Sequence, residues 1–199
     1  MKKTTKVFTT SLCAAALVAA SVLGTMAYLT DSDEVVNTFT VGDVAITLDE
    51  QDVDNSTEGA ERDQANMYKL MPGSTYTKDP IVHVAEDSEA CYLFVKVENE
   101  IANIEGEDTV AEQMAEKGWT AVGDYAGIYV YTQEGAPAVV AAGSDVPVFE
   151  NFTIDGTVNN ATLASYAGKT ITVTAYAIQA EGFGEKAAAQ IWEAAGFNA

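Results

Sequence analysis

Basic residues are scarce in this chain, with ten lysines and arginines against thirty aspartates and glutamates in 199 residues. So acidic a polypeptide is a poor ligand for a phosphate backbone or an anionic membrane, which excludes nucleic-acid binding and electrostatic membrane docking. Histidine occurs once, at His83. A catalytic zinc centre commonly draws on two or three imidazoles, and His-Glu-x-x-His is absent. There is no Gly-x-Ser-x-Gly elbow, and no cysteine is paired with the histidine by any known signature. Carboxylates abound, but nothing in their spacing pairs two of them for glycoside hydrolysis. The expectation is a protein that is not an enzyme, with no catalytic residues and no cofactor.

Cysteine is also short, with only Cys13 and Cys91. Cys13 lies in an apolar N-terminal run, which leaves Cys91 alone in the remainder and excludes an intrachain disulfide there. Within Ala90-Cys-Tyr-Leu-Phe-Val it reads as a small buried hydrophobe. Long apolar runs are missing too. The uncharged core from Val7 to Leu23 is short of the roughly 20 residues that span a bilayer.

That run has another reading. Lys2, Lys3 and Lys6 precede it, and Thr25-Met26-Ala27 follows with small residues at positions −3 and −1 of a cleavage site. Residues 1–27 therefore read as an export signal cut between Ala27 and Tyr28, which places the mature chain outside the cell, secreted or at the cell surface. From Tyr28 onward the chain has seven basic and thirty acidic side chains, a charge near −23.

Past the cut come Ala27-Tyr28-Leu29-Thr30-Asp31, then Asn37-Thr38-Phe39-Thr40-Val41-Gly42 and an alternating strand ending at Leu48. This junction resembles that of the TasA/camelysin family, secreted proteins of Gram-positive bacteria processed by a SipW-type signal peptidase. The resemblance covers about a quarter of the chain. It implies a jelly-roll-like β-sandwich, a SipW-type processing partner, a place in the extracellular or biofilm matrix, and fibres in which the mature N-terminal segment completes a neighbour's sheet. Camelysins have also been described as metalloproteases, an activity that one histidine on a strand does not support.

The rest of the chain alternates strands with breakers. Ile81–Val84 is a short strand after the turn at Pro72-Gly73. In Cys91–Glu98, Cys91, Leu93, Val95 and Val97 share one face, and Tyr92, Phe94, Lys96 and Glu98 share the other. Thr109 and Glu112 predict a capping box, with Gly118 ending that helix. Tyr125–Thr132 alternates, Gly135–Phe149 is broken by Pro137, Gly143 and Pro147, and Val148–Ile154 is strand-like. Ile171–Gln179 is the last strand, and Glu185–Ala195 a second helix. Seven or eight strands and two short helices make a mainly β fold, an antiparallel β-sandwich. The division expected is a signal at 1–27, an arm at 28–43 and one domain at 44–199.

Two segments are candidates for function. Residues 49–66 form an exposed acidic loop in which Asp52, Asp54, Ser56, Glu58 and Asp63 have a spacing like that of a Ca²⁺ loop. Thr57 stands where the turn needs glycine, and Asp63 where a bidentate glutamate is usual. The reading is a solvated acidic loop, with a weak open Ca²⁺ site as the alternative. The other segment is the arm, in which Leu29, Val35, Phe39 and Val41 share one face. Thirteen extended residues reach roughly 40 Å, about a domain diameter. Burying those four side chains gives about 6–12 kcal/mol, while ordering the arm costs ~1–2 kcal/mol per residue. Side-chain burial alone does not suffice, so ladder hydrogen bonds or avidity must add to it. Asp31, Asp33 and Asn37 lie on the same face, which confines insertion to Val35–Val41. The alternative is that Asn37–Leu48 forms the protein's own edge strand.

Overall fold

The computed structural model describes residues 43–123, 125–184 and 186–197. The signal, the cleavage pair Ala27–Tyr28 and the arm residues Leu29, Val35, Phe39 and Val41 lie outside the described residues. Residues 41–199 make one compact unit.

Strand β5 (Cys91–Asn99) is its axis. The alternation read from the sequence is real: Cys91, Leu93, Val95 and Val97 point into the main core. The opposite face is also buried over its first half, with Tyr92 and Phe94 under 6 % exposed. β5 pairs antiparallel with β12 (Ile171–Gln179) along all nine residues, from Ile171 opposite Asn99 to Gln179 opposite Cys91. On its other side it pairs with β7 (Ile128–Gln133), which in turn pairs with β6 (Trp119–Ala121). The second sheet is β1 (Ile46–Gln51), β4 (Ile81–Val84) and β10 (Asp145–Pro147), with β2 (Arg62–Asp63) folded back on the end of β1. Val82, Val84 and Val146 from this sheet meet Leu93 and Val95 from the first. β3 (Thr75–Thr77) and β11 (Asn151–Thr153) form a two-stranded ribbon. The molecule is an antiparallel β-sandwich.

Strands are shorter and more numerous than expected. The stretch broken by Pro137, Gly143 and Pro147 yields β8 (Ala136–Pro137), β9 (Val139–Val140) and β10, each only two or three residues long.

Three α-helices occur among the described residues, one more than expected. α1 (Val110–Glu116) has the capping box that the sequence predicts. Thr109 Oγ1 accepts from the Glu112 N–H at 3.3 Å, and Glu112 Oε2 accepts from the Thr109 N–H at 2.8 Å. Gly118 follows at φ 91°, where an added Cβ would meet the Thr132 carbonyl at 2.9 Å. α2 (Asn160–Ala164) is the unexpected helix; the Asn159 side chain caps it by accepting from the Thr162 N–H at 2.9 Å. That cap, an asparagine accepting from the third N–H of the helix, is what starts it. α3 (Ala188–Ala195) closes the outer face of the first sheet. Its Ile191 and Trp192 are buried on Phe94, Ile128 and Val130. No helix among the described residues is long and apolar enough to cross a membrane.

The acidic loop starts later than expected. β1 continues through Asp49 and Glu50 to Gln51, and Glu50 is only 5 % exposed. The charge is kept inside by a partner: Lys78 Nζ lies 2.5 Å from Glu50 Oε2, and Asn66 Nδ2 donates to Oε1 at 3.0 Å.

Candidate functional site

Three features of this unit are candidates, and the structure treats them differently. The first is the acidic loop. β1 and β2 pair only at Glu50–Asp63 and Gln51–Arg62, so the ten residues between Gln51 and Arg62 must close on themselves. They do so through carboxylates. Asp52 Oδ2 accepts from the Thr57 N–H at 3.1 Å, and Asp54 Oδ1 from the Ser56 N–H at 2.9 Å. Asp54 Oδ2 accepts from the Met67 N–H at 2.7 Å, and the Ser56 hydroxyl donates to Asp63 Oδ2 at 2.9 Å. Asp52, Asp54 and Asp63 thereby come together, each with an oxygen within 4.8 Å of the others. The bond from Met67, followed by that from Ser56, holds the Asp54 carboxyl below its ordinary range. Of the five residues singled out by spacing, three carboxylates converge and Ser56 bridges to one of them. Glu58 sits on the exposed part of the loop, outside the cluster.

The second feature is a network across the second sheet that sequence reading missed. His83 on β4 stands opposite Thr47 on β1 and Asp145 on β10. Its Nδ1 lies 2.6 Å from Asp145 Oδ1, and its Nε2 lies 3.1 Å from Asp49 Oδ1. Asp49 also receives the Arg62 guanidinium, whose Nη1 reaches Asp79 Oδ2 at 3.0 Å. Burial disfavours a charged imidazole, but the bonds to Asp145 and then Asp49 outweigh it and raise His83 above its ordinary 6.5. Both ring nitrogens are engaged by carboxylates of neighbouring strands. Nothing in the sequence couples residues 49, 83 and 145; only the strand register does.

The third feature is a groove of about 1210 Å³ on the side where β1 and β12 are the last long strands of their sheets. Ile46 and Leu48 line one wall, Val173 and Ala175 the other, and Tyr68 and Phe152 are between them. Tyr68 meets Phe152 edge-on at 5.2 Å, and Tyr76 stacks on Phe152 at 5.1 Å. The Tyr68 hydroxyl is satisfied by the Thr77 carbonyl at 2.9 Å. Glu50, Asn66 and Lys78 make the groove polar at one end. The apolar wall is incompletely covered. Val95 is fully buried, whereas Ala175, its partner in register, is half-buried, and so are Ile171 and Val173.

β12 has no strand partner on its outer edge among the described residues. Its sequence, Ile-Thr-Val-Thr-Ala-Tyr-Ala-Ile-Gln, contains neither charge nor proline. That composition was legible from the start; that the strand would lie at an edge was not. No family model, no curated protein and no solved structure matches the chain.

Proposed function

We propose that this chain is a secreted, non-catalytic structural protein of a Gram-positive bacterium. In this reading it is a fibre-forming subunit of an extracellular matrix, and the arm Tyr28–Val41 of one copy adds as a strand to another. The observation that carries the reading is the outer edge of β12, nine residues long and unprotected by charge or proline. Monomeric β-proteins blunt such edges because a row of unpaired N–H and C=O groups templates further pairing. The export signal and the likeness of residues 27–48 to the TasA/camelysin family support the same reading, and they name a SipW-type peptidase as the processing partner.

The test is to secrete the full chain from a Gram-positive host and sequence the N-terminus of the product, with Tyr28 expected. The purified protein is then examined by electron microscopy across concentration and pH. Filaments are expected, and deleting residues 28–40 should abolish them. A monomer under all conditions, unchanged by the deletion, would overturn the reading.

A second reading is a monomeric secreted or cell-surface binding module that takes Ca²⁺. The convergence of Asp52, Asp54 and Asp63 favours it. Against it, several of those oxygens already accept hydrogen bonds from the loop's own N–H groups. Titration calorimetry with millimolar Ca²⁺ separates the two, since the structural reading expects no heat. A camelysin-like protease gains no support from His83, whose ring nitrogens are both taken up in bridging strands. A casein assay with and without chelator checks it.

A further inference from the structure

We infer that the groove between β1 and β12 docks a cationic amphipathic peptide, with apolar side chains on its walls and lysines or arginines at its acidic end. This function is separate from the structural role proposed above and does not require copies to assemble.

The walls are aliphatic and incompletely covered. Ile46 and Leu48 on β1, and Ile171 and Val173 on β12, pack on the main core yet stay half-buried. The strand segments lining the groove, residues 46–50 and 171–175, each run roughly 16 Å at ~3.3 Å per residue. At about 1210 Å³ the groove exceeds the ~300–1,000 Å³ of an ordinary small-molecule pocket, so a short chain of residues suits it better.

One end is acidic. Asn66 ties the groove to the 49–66 loop: its Nδ2 donates to Glu50 Oε1 at 3.0 Å and lies 3.4 Å from Asp63 Oδ1. Asp63 gathers with Asp52 and Asp54, while Asp49 and Asp79 flank Arg62. Six carboxylates therefore stand here against two permanent cations, Arg62 and Lys78, with His83 beyond Asp49 as a third when protonated. The phenol of Tyr68 in the groove registers this charge. Burial first, and then Glu50, Asp79, Asp54 and Asp63, push it well above its ordinary 10. Met67 stands at the join between apolar wall and acidic loop. It lines the groove, its N–H donates to Asp54 Oδ2 at 2.7 Å, and its side chain is 85 % exposed. A bare thioether beside carboxylates offers contact to an apolar side chain that neighbours a cation.

Charge complementarity selects the occupant. An anionic ligand meets net repulsion at the acidic end, and the two lysines of the lining, Lys78 and Lys169, are already held by Glu50 and Glu100. A second copy of this chain, with a formal charge of −20, brings like charge to the contact. A neutral apolar chain uses the walls and leaves the acidic end unanswered. An excess of three or four carboxylates matches several clustered cations, which one ammonium group does not supply and a run of lysines or arginines does.

Peptide titration tests this, read by calorimetry and by amide NMR of the isotope-labelled secreted chain at low ionic strength. The probe is a peptide of leucines followed by lysines, compared with serine–lysine and leucine–glutamate peptides of equal length. The leucine–lysine peptide should bind at least tenfold more tightly than either, with amide shifts confined to residues 46–50, 64–68 and 171–175. Equal binding of the serine–lysine peptide would show that charge alone acts and would overturn the groove as the site. Equal binding of the leucine–glutamate peptide would overturn the cationic class. Shifts that miss the groove would overturn the inference. So would concentration-dependent shifts at 171–175 without peptide, which mark a second copy as the occupant. Ala175→Trp fills the groove without altering charge and should weaken binding at least tenfold in protein whose circular dichroism is native. Met67→Lys changes an exposed side chain, leaves the core untouched, and should weaken the leucine–lysine peptide severalfold. Native affinity in either folded variant would also overturn the inference.

Discussion

Trp119 and Trp192 are both buried, yet they are held differently. The Trp119 indole N–H donates to the Pro147 carbonyl at 2.9 Å, whereas Trp192 Nε1 has no acceptor among the described residues. Trp192 instead packs among aromatic rings, edge-on to Tyr176 at 5.2 Å and tilted against Phe197 at 5.0 Å. Replacing each with phenylalanine separates packing from hydrogen bonding. Trp119→Phe is expected to cost about 1 kcal/mol more than Trp192→Phe, measured from urea midpoints. The Glu50–Lys78 pair makes a sharper case. Lys78→Met leaves a buried carboxylate without its cation and should cost about 3–5 kcal/mol, most of it recovered when Glu50→Gln is added. A denaturant series on the two single variants and the double variant reads this directly. Neither partnership was visible in sequence. Glu50 sits within an acidic run that looks solvated, and its lysine lies 28 residues away.

At the scale of elements, β4 is joined to both neighbours by His83, and that joint is titratable. The raised His83 value means its contribution is complete below about 6.5, the ordinary value, and fades as pH rises through the raised one. Asp49 runs the other way. Burial raises its carboxyl, but Arg62 and then His83 outweigh that and bring it below the ordinary 3.8. Its contribution is complete above that value and is lost as pH falls through the lowered one. The two overlap between about pH 4 and 6.5, where the β1–β4–β10 sheet is most firmly held. Melting temperature should fall as pH rises above about 6.5, and His83→Gln should flatten that fall. An equal fall in the variant would show that the network does not contribute. Other elements are plainer in sequence. The capping box at Thr109 and Glu112 is local chemistry and was predicted correctly, because a span of four residues suffices to write it.

For the whole molecule, charge is the dominant quantity. The chain carries a formal charge of −20, so copies repel, and the screening length is ~10 Å at 0.1 M salt. If subunits associate as proposed, filament yield should rise with ionic strength at pH 7, and rise again as carboxylates protonate towards about pH 5. Light scattering with microscopy measures both. Indifference to salt and pH would mean that repulsion does not govern association.

Local pattern was enough for the antiparallel sandwich, for both faces of β5 and for the capped helix α1, because period-two alternation and cap chemistry act between residues a few places apart. It was also enough to mark Asp52, Asp54 and Asp63 as neighbours, since a short loop brings them together. Strand order is a different matter. It joins residues separated by as many as 88 positions, as Cys91 and Gln179 are, and no local pattern encodes it. Order alone placed His83 between Asp49 and Asp145, buried Tyr92 and Phe94 beneath α3, and left β12 at an edge. Ile171–Gln179 would be an ordinary core strand anywhere else in the sheet; its place at the border leaves one of its edges without a strand partner among the described residues.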